Sequence, residues 1–117
     1  MSQVTTRIID TLTGLPVDGI MIVLEKHVRA EEWHELTHTY ADEDGNAKDL
    51  LSEGINLIPG MYRLAIPVGT HYEKMGITAV FPVIYAMFEI KDRQNYHIPV
   101  LAGPYSYTVY RERDYEK

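Results

Sequence analysis

Imidazole is the side chain best suited to moving protons near neutral pH, and this chain carries five of them, at positions 27, 34, 38, 71 and 97. His34 and His38 flank Leu36 in an alternating run, a spacing that places both rings on one strand face and raises the question of a metal. No third ligand stands at a defined spacing, so no metal is expected there. Asp42, Asp44 and Glu53 bear some likeness to a calcium loop, but Gly45 falls at the fourth position and such loops need glycine at the sixth. That segment reads as a hairpin turn. His27 and His71 have no partner that the sequence identifies. His97 lies in a strand-like run, where an isolated histidine is more often a structural donor than a catalyst. There is no cysteine, so thiolate chemistry and disulfides are excluded.

The rest of the chain must position these groups. Its 117 residues suit one domain, 1–117, and a composition of 45% hydrophobic and 24% charged residues is that of a folded globular protein. A formal charge of −6 speaks against nucleic acid, since phosphate binding needs a basic patch and the arginines of Tyr110-Arg111-Glu112-Arg113-Asp114 alternate with acids. No apolar run approaches the roughly 18 residues of a membrane span, so no membrane partner is expected. The opening residues, Met1 to Arg7, hold no apolar signal core, and a cytoplasmic location is expected.

The patterning is mostly β. Val4, Thr6 and Ile8 alternate with Thr5, Arg7 and Ile9, and residues 19–26, 32–40, 61–67, 83–91, 96–102 and 105–111 read as further strands. Asp10 to Pro16 and Asp42 to Gly45 are turn clusters. One short helix is expected over 70–75, with Thr70 as N-cap and Gly76 as terminator. In the last strand Tyr105, Tyr107 and Val109 point one way and Ser106, Thr108 and Tyr110 the other. Short strands at regular spacing predict an all-β sandwich.

The segment Tyr96-His97-Ile98-Pro99-Val100-Leu101-Ala102-Gly103-Pro104-Tyr105-Ser106-Tyr107 resembles the C-terminal signature of the transthyretin/5-hydroxyisourate hydrolase family. The resemblance extends through Ile8-Ile9-Asp10-Thr11 with Gly14 and Pro16, Asp42-Glu43-Asp44-Gly45, Pro59-Gly60-Met61-Tyr62-Arg63-Leu64 and Phe81-Pro82, in the family's order. It implies a transthyretin-type sandwich of two four-stranded sheets with one short helix. It also implies a homotetramer whose paired subunits line a channel, and chemistry without cofactor or metal. Its enzymes hydrolyse 5-hydroxyisourate in purine catabolism, whereas transthyretin carries a small molecule in the same channel. Fold alone does not choose between these roles.

The resemblance also points to individual positions. The hydrolases use a first-strand histidine, an arginine after the Asp-Gly turn, a penultimate-strand histidine and a Tyr-Arg-Gly-Ser terminus. Here His97 is kept, the first-strand position is Arg7, the turn position is Asn46, and the terminus reads Tyr110-Arg111-Glu112-Arg113. Arginine does not give up its proton in a protein, so Arg7 is an anion clamp and not a base. Asn46 lacks the fork of a guanidinium. The implied channel face holds His97, Arg7, Asn46 and Tyr110 as catalytic groups, with Ile9, Pro99, Thr108 and Arg111 binding substrate, and leaves Tyr105 and Tyr107 for the core. Glu112 is a pairing acid for Arg7 if that face is solvated, and Glu112 with Arg113 is expected to crowd the pocket mouth.

The expected function is that of a divergent hydroxyisourate-hydrolase-like enzyme. It acts on a small polar ring compound by ring-opening hydrolysis or a related decarboxylation, cyclisation or other proton-transfer step. Two alternatives stand beside it: a non-catalytic small-molecule binder of transthyretin type, and a residual 5-hydroxyisourate hydrolase.

Overall fold

The structure, a computed structural model, describes residues 2–113; Asp114 of the alternating tail lies outside them. Ten strands and one helix follow in the order β1 (Val4–Asp10), β2 (Leu15–Pro16), β3 (Met21–Arg29), β4 (Glu32–Tyr40), β5 (Asn46–Ala47), β6 (Gly60–Ile66), α1 (Val68–Glu73), β7 (Ile84–Ile90), β8 (Tyr96–His97), β9 (Val100–Ala102) and β10 (Tyr107–Val109). One sheet runs β4-β3-β6-β7. The other follows the four-strand path β10-β9-β1-β2, with β5 and β8 also paired to β1. The expected pair of four-stranded sheets is therefore recognisable, and the one built on β1 is widened by two short strands. The expected run 96–102 divides into β8 and β9 around Ile98 and Pro99. Proline has no N–H to donate to a ladder, which accounts for the interruption.

The core lies between the sheets because alternate residues of both point inward. Val4 and Ile8 of β1 and Val100 and Ala102 of β9 face Ile22 and Leu24 of β3, Tyr62, Leu64 and Ile66 of β6 and Ile84 and Ile90 of β7, all buried. Each fully buried aliphatic side chain contributes about 1.5–3 kcal/mol before entropy is counted.

Helix α1 begins at Val68, with Pro67 rather than Thr70 in the N-cap position. Thr70 lies within the first turn, and its hydroxyl donates back to the Pro67 carbonyl at 3.0 Å. Val68 and Tyr72 are buried, so the apolar stripe sets the start of the helix and the hydroxyl only follows it. Gly76 does close the segment, with φ +75° and the Ile77 N–H returning to the Tyr72 carbonyl at 2.9 Å.

The helix is anchored through Asp10, whose buried carboxylate accepts from the Leu12 N–H (2.8 Å), His71 Nε2 (3.0 Å) and the Tyr72 hydroxyl (3.1 Å). His71, partnerless in the sequence, finds its partner across 61 residues of chain. Burial alone pushes the Asp10 carboxyl up, but the donors, His71 foremost, outweigh it and hold it below the ordinary range. Burial and the neighbouring carboxylate push the Tyr72 phenol well above its usual value.

Three further expectations are corrected. His34 and His38 do not share a face: Leu24 pairs with Thr37 but Glu25 pairs with Glu35, so Leu36 is the extra residue of a β-bulge and reverses the alternation. The two rings bond Glu32 and Glu35 respectively. The Asp42–Gly45 turn is tight, with the Gly45 N–H to the Asp42 carbonyl at 2.9 Å, yet it is not a hairpin. β4 before it pairs with β3, and β5 after it pairs with β1 in the other sheet. Tyr105 and Tyr107 are exposed rather than core residues. Only 107–109 is a strand, and the Tyr107 ring meets Phe81 edge-on at 5.2 Å instead of entering the sandwich.

Candidate active site

β1 is the organising strand because both of its edges are used. It pairs in parallel with β8, which sets Thr5 opposite His97, and antiparallel with β5, which sets Arg7 opposite Asn46. Residues paired across strands share a face. Thr5, Arg7, Asn46 and His97 thus lie together on the outward face of the sheet built on β1, although 39 positions separate Arg7 from Asn46 and 92 separate Thr5 from His97.

His97 is held by its neighbours. Its Nδ1 lies 2.8 Å from Thr5 Oγ1, and its Nε2 lies 3.9 Å from Glu112 Oε1, too far for a direct hydrogen bond. The Glu112 N–H donates to the His97 carbonyl at 2.9 Å, forming a β-bridge that brings the terminal segment over the site. The Thr5 hydroxyl serves as donor or acceptor by rotating, so it supports either tautomer of His97 without moving the ring. His97 lines an open cavity of about 630 Å³.

Asn46, Arg111 and His97 line that cavity, together with residues that the sequence did not single out as site residues: Thr5, Lys48, Arg93, Gln94 and Asn95. Glu112 and Arg113 line it too, in keeping with their expected place at the mouth. Thr5 was legible in principle, since it precedes Arg7 by two along β1, and Lys48 follows Asn46 by two. Residues 93–95 left no signal, because they belong to the turn before β8 and only the fold brings that turn to the site. The other expected site residues lie on or beside the same sheet without lining the cavity. Arg7 is exposed, and its Nε donates to the Asp44 carbonyl at 3.0 Å, while Glu112 turns to His97. Ile9 is half-buried between Pro16 and Leu101. Pro99 is buried, and its carbonyl receives the Tyr110 N–H at 3.4 Å. Thr108 is exposed opposite Leu101, and Tyr110 is exposed.

Two of the contacts at the rim involve Arg111 and the turn before β8. The Arg111 guanidinium stacks 4.0 Å over the Tyr96 ring and donates to the Asn95 carbonyl at 3.0 Å. The Gln3 side chain, itself buried, donates to the Asp92 and Gln94 carbonyls and accepts from the Leu57 N–H, which pins the turn 92–95. Asp92 caps that turn. The Gln94 N–H, the Tyr96 hydroxyl and then the Arg111 and Arg113 charges hold its carboxyl below the ordinary range.

A model of the HIUase/Transthyretin family matches residues 4–112. The chain belongs to that family. Among family members, 5-hydroxyisourate hydrolase of Mus musculus is 33% identical over 112 residues, covering 94% of each chain. 5-Hydroxyisourate hydrolase of Salmonella dublin is 34% identical over 108 residues, 92% of this chain and 78% of that one. The solved structure of Klebsiella pneumoniae 5-hydroxyisourate hydrolase superposes with a TM-score of 0.82 at 25% identity, over 97% of this chain and all of that one. The crystal structure of (S)-allantoin synthase shares the fold, with a TM-score of 0.81 at 23% identity over 94% of this chain and 43% of that one. The transthyretin-like fold is thereby established. Among the described residues no group of three His, Cys, Asp or Glu is placed to hold a metal ion, and no helix is long and apolar enough to cross a membrane.

Proposed function

We propose that this chain is a divergent 5-hydroxyisourate-hydrolase-like enzyme, a single transthyretin-like domain that uses acid–base chemistry to open or rearrange a small polar ring without metal or cofactor. The observation that carries the reading is the seating of His97: Nδ1 on Thr5, Nε2 without a direct hydrogen bond, and the residue in the lining of a cavity. A general base needs both a fixed ring and a free nitrogen. His97 takes a proton from water or from the ring, and the Thr5 hydroxyl reorients as the tautomer changes. Asn46 orients a ring amide or carbonyl, and Arg111 holds developing negative charge. Arg7 and Tyr110 complete the face when subunits pair in a homotetramer, with Ile9, Pro99 and Thr108 as its apolar and hydroxyl wall. A cytoplasmic step in purine breakdown is the setting this reading favours.

One observation favours a second reading, residual hydrolysis of 5-hydroxyisourate itself: relatives at 33–34% identity bear that name. Freshly generated 5-hydroxyisourate is the first compound to test, followed by other small polar ring compounds, cyclic ureides and ring carboxylates among them. Turnover of one of them, abolished in His97→Ala with the assembly state unchanged, is the expected result. Stoichiometric binding without consumption of any of them would leave a carrier and defeat the enzyme reading.

A further inference from the structure

The cavity beside His97 gathers positive charge in a negatively charged chain. Lys48, Arg93, Arg111 and Arg113 line it, four of the eleven lysines and arginines, against Glu112 alone of the seventeen acids. A random scatter over a protein of net charge −6 would place acids there in excess. Clefts lined by one sign of charge concentrate ligands of the other.

The cations are also arranged on two sides. Lys48 follows β5 on one edge of β1, while Arg93, Arg111 and Arg113 flank β8 on the other edge. Thr5 and His97 lie between them, joined by their hydrogen bond. Arg111 is committed to Tyr96 and Asn95, and Arg113 reaches Gln94 Oε1 at 3.5 Å. Lys48 and Arg93 have no hydrogen bond or ion pair among the described residues, yet Arg93 rides on the turn that Gln3 pins. Lys48 and Arg93 are exposed cations of the cavity lining, one on each side of the imidazole, so a ligand with negative charge at both ends would meet both. Asp92 offsets part of the Arg111 and Arg113 charge but is engaged with Tyr96 and Gln94.

From this arrangement we infer that the cavity takes a planar ring carrying two anionic groups on opposite sides, a dicarboxylate or its equivalent, with the ring over His97, one carboxylate at Lys48 and the other at Arg93. The inference rests on the cavity being the ligand site of the proposed enzyme, and it names the class of its ligand. Carboxylates meet the ammonium of Lys48 as a point charge and the guanidinium of Arg93 through paired N–H groups.

The test is calorimetric binding of pyridine, pyridine-3-carboxylate and pyridine-2,5-dicarboxylate to the full chain at low ionic strength. The dicarboxylate is expected to bind at least tenfold more tightly than the monocarboxylate. Lys48→Gln and Arg93→Gln should each reduce that advantage to threefold or less, while Arg29→Gln on the other sheet leaves it unchanged. Equal affinity for the mono- and dicarboxylate overturns the inference, as does a dicarboxylate affinity that neither cavity variant alters. Because binding is read without turnover, loss of the charge preference leaves the enzyme reading standing, and charge-selective binding to a protein that consumes no ring compound removes the enzyme reading alone.

Discussion

Thr5 and His97 are joined twice, by the parallel ladder of β1 and β8 and by a 2.8 Å contact between Oγ1 and Nδ1. A histidine tied in this way has its ring plane set and one nitrogen committed, so Thr5 is a positioning residue for the imidazole. Thr5→Val keeps the shape and removes the hydroxyl. It should lower kcat about tenfold with KM nearly unchanged, a part of the roughly 10²–10⁴-fold that a positioned acid–base group contributes. Thr5→Ser should restore most of the rate. Steady-state kinetics of the three proteins decide the matter, and a loss confined to thermal stability would reduce Thr5 to a structural role.

Arg7 and Asn46 form a second paired couple, directly opposed in the β1–β5 ladder. Exchanging both, Arg7→His with Asn46→Arg, places an imidazole and a guanidinium across the same ladder. The double variant should hydrolyse freshly generated 5-hydroxyisourate at least tenfold faster than the parent. An unchanged rate would direct attention to Glu112 and Arg113 at the cavity mouth.

Asp10 makes stability depend on acid. Its folded-state pKa lies below the unfolded value of about 3.9, so it stabilises the fold above that pH. The contribution is lost as pH falls through the depressed folded value. Asp10→Asn keeps an acceptor but loses the charge, and should cost about 2 kcal/mol at pH 7, as for hydrogen bonds to charged groups. The difference from the parent should shrink below pH 4, as measured by denaturant unfolding at several pH values. A constant difference down to pH 2 would show that Asp10 carries no depressed pKa.

Gly45 is held at φ +78°, and a Cβ there would come within 2.5 Å of the Ile8 carbonyl oxygen, which is backbone and does not yield. Gly45→Ala should therefore destabilise the protein by about 2 kcal/mol or more. Because Ile8 N–H donates to the Gly45 carbonyl at 2.9 Å, the same change loosens β5 and with it Asn46. Thermal unfolding gives the stability, and a matching fall in ligand affinity is expected. A variant with parental Tm would mean that the turn relaxes without cost.

The amino-acid sequence by itself placed strands at 4–9, 19–26, 32–40, 61–67 and 83–91, which overlap the strands 4–10, 21–29, 32–40, 60–66 and 84–90 of the fold, because apolar alternation is written locally. It determined the glycines that must adopt positive φ at 45 and 76, and the motifs that identify the family. Through the same motifs it singled out His97, Asn46 and Arg111, which line the cavity. Tertiary structure decided the rest. Whether His34 and His38 share a face depends on a bulge, which exists only as a relation between two strands. Whether Tyr107 enters the core depends on how short β10 is and on Phe81 beside it. His71 and Asp10, Gln3 and the turn 92–95, and Thr5 and His97 are pairings of residues 61 to 92 positions apart, and side-chain pattern carries no information about such distances. The charge of the cavity belongs to the same class. Lys48, Arg93, Arg111 and Arg113 read as scattered surface cations along the chain, and become one field only where β1 draws β5 and β8 to its two edges.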